Sequence, residues 1–210
     1  MAKKIYSLLL NDDVVEQIDN LAIKQGISRS NMVNRILGEY FSCDIPEQRM
    51  QDIFNCVQQL IDPHSSMRFS NMPSASMACV LSALPCRYKP TVRYNVELID
   101  DDKYIGRLRV SLRSQNSQLL YNIENFYTLF QQLELYNVGK RSSNVDNGRF
   151  VRLLEKPGDM TYTEVAEAIT NYINMLDELL SAFFAGNCSD GCIDDIKRIY
   201  ANYLKNNVHV

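Results

Sequence analysis

The spacing of apolar residues changes its rhythm at Asn11. Before it, Lys3 to Leu10 ("KKIYSLLL") reads as one short strand with no hairpin partner nearby. After it, Val14, Val15, Ile18, Leu21 and Ala22 recur at helical spacing. Asn11 suits the N-cap of that helix, with Asp12 and Asp13 in the first turn, where the helix dipole favours acids. Gly26 is typical of the residue just past a helix, and Ile27 beyond it can fold back on the helix. Ser28 caps a second helix, whose apolar stripe is Met32, Val33, Ile36, Leu37, Tyr40 and Phe41.

"CDIPEQ", around Pro46, punctuates the chain as a domain boundary. Helical periodicity resumes at Met50, Ile53, Phe54, Val57, Leu60 and Ile61, and the polar, proline-bearing "DPHSSMRFSNMPSAS" reads as loop. "MACVLSAL", "PTVRYNVELI" and "YIGRLRVSLR" read as strands, the last two flanking the turn candidate "DDDK". A helix is expected over 117–136, with Leu119, Leu120, Ile123, Phe126, Tyr127, Phe130 and Leu133 on one side. The polar "KRSSNVDNG" reads as loop and "RFVRLLE" as strand. Thr161 to Ala185 is the longest expected helix, its seam Val165, Ile169, Tyr172, Leu176, Leu179 and Phe183 packing into the core, and a last helix runs from Asp190 to Leu204. The expected fold class is α+β: a small N-terminal module over 1–43, then an α+β domain over 44–210 with a small antiparallel sheet and several helices.

With 210 residues, 46% apolar and 22% charged, the chain has an ordinary globular composition. Its net charge of −3 gives no overall attraction to nucleic acid or anionic membranes. Within 1–43, Lys3, Lys4, Lys24, Arg29 and Arg35 balance Asp12, Asp13, Glu16, Asp19 and Glu39. No apolar run approaches the ~20 residues of a membrane helix, and "SLLL" is too short for a signal-peptide core, so the expectation is a cytoplasmic protein with reduced thiols. Cys43, Cys56 and Cys79 are expected in the core. Cys188 and Cys192 are close in sequence, but with only two histidines in the chain no zinc set is visible. His64 and His209 stand singly, and His209 is expected in solvent. There is no Gly-rich phosphate loop and no triad order, so no catalytic residue, metal or cofactor is assigned. Arg87, Lys89, Arg93, Arg107, Arg109 and Arg113 give one hairpin a basic character, with Tyr88, Tyr94 and Tyr104 beside it. Its ordinary reading is the solvent face of a half-buried sheet; an anion- or nucleic-acid-binding face is the alternative.

Strand, helix, Gly-bearing turn and helix, from "KIYSLLL" through "VVEQIDNLA" and "GISRS" to Phe41, resembles the ribbon-helix-helix family of DNA-binding proteins. The resemblance covers Lys3 to Phe41 and implies that two chains pair their strands antiparallel. By the family register, Tyr6, Leu8 and Leu10, with Val33, Ile36 and Leu37 of the second helix, form a shared dimer core. Lys3, Ile5, Ser7 and Leu9 face outward, where a two-stranded ribbon meets base edges in the roughly 12 Å wide major groove. Ser28, Arg29 and Ser30 match the phosphate contact at the start of the second helix. Ile5 and Leu9 depart from the family, whose outward positions are usually polar or basic. They can touch thymine methyl groups, or be covered by protein.

The expectation is therefore a homodimeric transcriptional regulator that binds double-stranded operator DNA. Its C-terminal domain would bind a small-molecule or protein effector or govern assembly, and no membrane partner is expected. The alternative is a scaffold or antitoxin-like protein whose N-terminal module only dimerises.

Overall fold

The computed structural model describes residues 5–43, 45–61, 65–70, 74–86, 89–99, 101–139, 143–146, 148–156, 158–185 and 190–210. Lys3, Lys4, His64, Arg87, Tyr88 and Cys188, named above, lie outside them. The chain divides into two compact units, Met1–Gln48 and Arg49–Val210. The division falls close to Pro46, which occupies the first position of a helix, where its missing N–H is no loss.

The first unit holds α1 (Asp12–Gln25) and α2 (Arg29–Phe41). Asn11 sits at the cap of α1, but only its main-chain oxygen serves, accepting from the Val14 and Val15 amides at 3.0 and 3.1 Å. Gly26, at φ +65°, closes α1, and the Ile27 amide donates back to the Ala22 carbonyl at 3.0 Å. That turn brings Ile27 onto a small core of Ile18, Ala22 and Met32, which Val33 also joins. Ser28 caps α2 through its Oγ, which accepts from the Asn31 amide at 3.3 Å. Arg35 ties the helices together, donating to Gln25 at 2.8 Å and to Glu39 at 3.0 Å. Cys43, expected in the core, is exposed: it follows the end of α2, where the chain has left the helix pair.

α3 (Pro46–Leu60) leads into the second unit, where it buries Met50, Ile53, Phe54 and Val57. There follow β1 (Arg68–Phe69), β2 (Met77–Ala83), β3 (Thr91–Leu98), β4 (Tyr104–Leu112), α4 (Ser117–Val138), β5 (Ser143–Asp146), β6 (Arg149–Glu155), α5 (Tyr162–Ala185) and α6 (Asp190–Asn206). The α+β class holds, with six helices and six strands among the described residues. The strands form one antiparallel sheet in the order β1-β2-β3-β4-β6-β5. Register fixes its two faces. Tyr94 stands opposite Val80 and Val110, and Leu108 opposite Val96 and Arg152, so these residues share the face toward the helices. Arg93, Asn95, Arg109 and Ser111 share the other face.

α5 forms the centre of the core. All of its expected seam is buried, and it starts with a capping box in which Thr161 Oγ1 accepts from the Glu164 amide at 3.3 Å while Glu164 accepts from the Thr161 amide at 2.8 Å. Phe126 and Phe130 of α4, Phe150 of β6 and Tyr200 of α6 pack as an aromatic cluster beside it, with neighbouring ring centroids 5.6–6.0 Å apart.

Two strands fall in stretches expected to be loop. β1 is two residues long, and β5 is four residues of mostly polar sequence whose pairing with β6 supplies what its apolar content does not. The Asp146↔Arg149 register leaves two residues between β5 and β6, Asn-Gly in sequence, and Gly148 takes φ +70°. An Asn-Gly pair is the strongest short hairpin signal in a sequence, and "VDNGRF" carried it.

Candidate functional site

Residues 5–10 precede α1 and belong to no sheet within the chain. Ile5 and Leu9 are fully exposed, while Tyr6, Leu8 and Leu10 retain 77%, 63% and 43% of their exposure. Tyr6, Leu8 and Leu10 thus have more cover than Ile5 and Leu9. Ser7 is exposed. On α2, Val33 packs on the small core, whereas Ile36, Leu37, Tyr40 and Phe41 continue the same stripe into solvent. An apolar strand-length segment and an apolar helix stripe are both left open on a unit whose own core is three residues.

At the start of α2, Ser28 and Ser30 are exposed. Arg29 is engaged: its Nε donates to Asp19 Oδ1 at 2.6 Å and a terminal nitrogen donates to Oδ2, a two-pronged ion pair. These hydrogen bonds hold the Asp19 carboxyl below its ordinary range and push Arg29 up. Asp19 carries no mark in sequence; it lies two turns into α1 and is brought to Arg29 only by the helix–turn–helix geometry. Being exposed, the pair contributes little to stability, so an arriving phosphate can compete for the guanidinium.

The second unit holds polar groups of two kinds. Inside, Asp177 of α5 accepts from Ser82 Oγ at 3.0 Å and from Tyr94 Oη at 2.8 Å. Burial raises the Asp177 carboxyl above its ordinary range against those two bonds. Tyr94, expected beside the basic hairpin, is therefore a core residue and presents no ring for stacking. Glu134 of α4 pairs with Arg152 of β6 and accepts from Tyr172 and Ser143, each at 3.0 Å. Burial again pushes the carboxyl up, opposed by Arg152 and the hydroxyls. Arg152 also donates to the Val210 main-chain oxygen through Nε at 3.2 Å and lies 3.3 Å from His209 Nε2. His209 is thus half-buried, with its ring near Tyr203, because the chain's last residues are drawn in to satisfy a buried guanidinium. These clusters join elements of the core.

Outside, the basic hairpin is the solvent-side sheet face that alternation implies. Arg107 is spoken for, 3.9 Å from Glu97 across the strand pair. Arg109 and Arg93 stand nearer the other end of the strands, and Arg149 of β6, not singled out by sequence, joins them. Among the described residues no group of three or more His, Cys, Asp or Glu side chains could hold a metal ion. No described helix is long and apolar enough to cross a membrane.

The class defined by these observations is an α+β chain of two units, the smaller a helix pair with an open apolar surface. No family model, curated protein or solved structure matches it.

Proposed function

We propose that the chain is a homodimeric ribbon-helix-helix transcriptional regulator, in which residues 3–10 of two copies pair as a β-ribbon that enters the major groove of operator DNA. The observation that carries this reading is the open apolar surface of the first unit: Tyr6, Leu8, Leu10, Ile36 and Leu37 are all exposed in the single chain. A unit this small rarely buries enough apolar area to be stable by itself, and a second copy is the economical cover. Full exposure of Ile5 and Leu9 fits a ribbon whose outer face is open to DNA. In that arrangement Lys3, Ile5, Ser7 and Leu9 face the bases, and Ser28, Arg29 and Ser30 face a phosphate. The second unit then serves effector binding or assembly.

The ion pair between Arg29 and Asp19 favours a second reading, in which the module only dimerises and the protein is a scaffold. Salt-matched titrations against a selected duplex and its scrambled counterpart separate the two. Under the regulator reading, Arg29→Ala weakens binding to both duplexes about equally and lowers the salt slope by roughly one. Ser7→Ala costs on the order of 1 kcal/mol on the selected duplex and less on the scrambled one. Wild-type protein that does not distinguish the duplexes would remove the ribbon as a sequence reader and leave the scaffold.

A further inference from the structure

Where β4 ends and β3 and β6 begin, beside the first turns of α4, the second unit has a cleft of about 600 Å³. Four arginines line it: Arg93 from β3, Arg109 from β4, Arg113 just beyond β4, and Arg149 from β6. Among the described residues none of the four takes part in an ion pair or a hydrogen bond, although exposed arginines elsewhere do so with Asp19, Glu39 and Asp195. Glu124 of α4 is the acid on the described lining, so the guanidiniums outnumber the carboxylate. The register brings them together: Arg93 faces Ser111 and Asn95 faces Arg109, which sets Arg93 and Arg109 at the diagonal cross-strand spacing of about 7–8 Å. Like charges at that spacing repel, and an anion that bridges them removes the repulsion.

Asn95 and Ser111 stand between the arginines as neutral hydrogen-bonding groups. Met77, Leu112, Leu120 and Ile123 give the lining apolar surface as well. The volume lies within the range of small-molecule sites, which join a few convergent polar groups to apolar walls. Guanidinium forks match phosphate oxygens two at a time.

We propose that this cleft binds a phosphorylated small molecule of nucleotide size, with two linked phosphates on the arginines and its body against the apolar part of the lining. The site uses residues of the second unit alone and is independent of the ribbon reading. The phosphate chemistry is shared with a nucleic-acid strand, and the probes below distinguish the two sources.

The experiment is calorimetric titration of the full chain, free of duplex DNA, with ADP, with pyrophosphate and with a short single-stranded oligonucleotide. ADP and pyrophosphate bind the wild type, and Arg93→Gln with Arg109→Gln weakens both by at least about tenfold, the loss expected for charge-assisted contacts. Arg107→Gln leaves binding unchanged, because Arg107 shares the strand face but lies outside the cleft, paired with Glu97. Ser111→Glu introduces a carboxylate among the arginines and weakens binding with the guanidiniums intact, so the question stays answerable if the double variant does not fold. An oligonucleotide held more tightly than ADP, and released by the same substitutions, supports the phosphate site and assigns its source to a strand. Failure of all three probes to bind, or binding that survives both the double variant and Ser111→Glu, overturns the proposal.

Discussion

Glu134 and Arg152 place opposite charges in the interior of the second unit, with Tyr172 and Ser143 donating to the carboxylate and the Tyr172 ring 4.7 Å from the guanidinium. Charges so deep are tolerated only when each is paired and hydrogen-bonded, and removing one partner leaves the other uncompensated. Glu134→Leu should destabilise the protein by about 3–5 kcal/mol, whereas Glu134→Leu with Arg152→Met should recover most of that loss. Denaturant unfolding of the four proteins in a double-mutant cycle measures the coupling. A single variant as stable as wild type would show that the pair has no energetic role. No sequence pattern disclosed this pair: alternation puts Arg152 on the inner face of "RFVRLLE", but its acid lies on a helix whose stripe is read from apolar residues alone. The same limit applies to the cleft. Alternation along one strand placed Arg109 and Arg113, but Arg149 joins them only through the β3-β4-β6 order, which periodicity does not carry.

Among the elements, those with an apolar stripe several turns long were legible, because helical spacing over α4 and α5 has no competing reading. β1 and β5 were not, since a strand of two or four residues is held by its neighbour and not by its own composition. β4 carries an irregularity that no propensity encodes. Its pairing with β6 slips between Tyr104 and Gly106, and at Gly106 the chain runs so close to β3 that an added Cβ would strike the Glu97 carbonyl oxygen. That obstacle is backbone and cannot swing aside as a side chain does. Gly106→Ala should therefore destabilise by more than 1 kcal/mol, although alanine is an ordinary strand substituent elsewhere. Thermal melts of Gly106→Ala beside Ala83→Gly, at the end of β2, provide the comparison. Equal small shifts for both would mean that β3 gives way without strain.

On the scale of the whole molecule, the two units differ in what they need. The second has a continuous core of sheet and helices, whereas the first buries Ile18, Ala22 and Met32 and exposes most of its remaining apolar side chains. Removal of residues 1–43, which leaves α3 complete, should give a folded protein of lower oligomeric state than the full chain. Sedimentation velocity measures the mass and near-ultraviolet circular dichroism the fold. A truncated chain that sediments with unchanged stoichiometry would place any contact between copies in the second unit.

The rims of the sheet bear on how such a molecule can associate. The outermost strands are two and four residues long, so each by itself offers only a brief run of unpaired amides and carbonyls. A strand added to either outer strand would find a register of only two or four residues. In the proposed dimer, residues 5–10 would instead pair with their own copy about a two-fold axis, an isologous contact that uses the same patch on both chains and so does not propagate as a head-to-tail contact does.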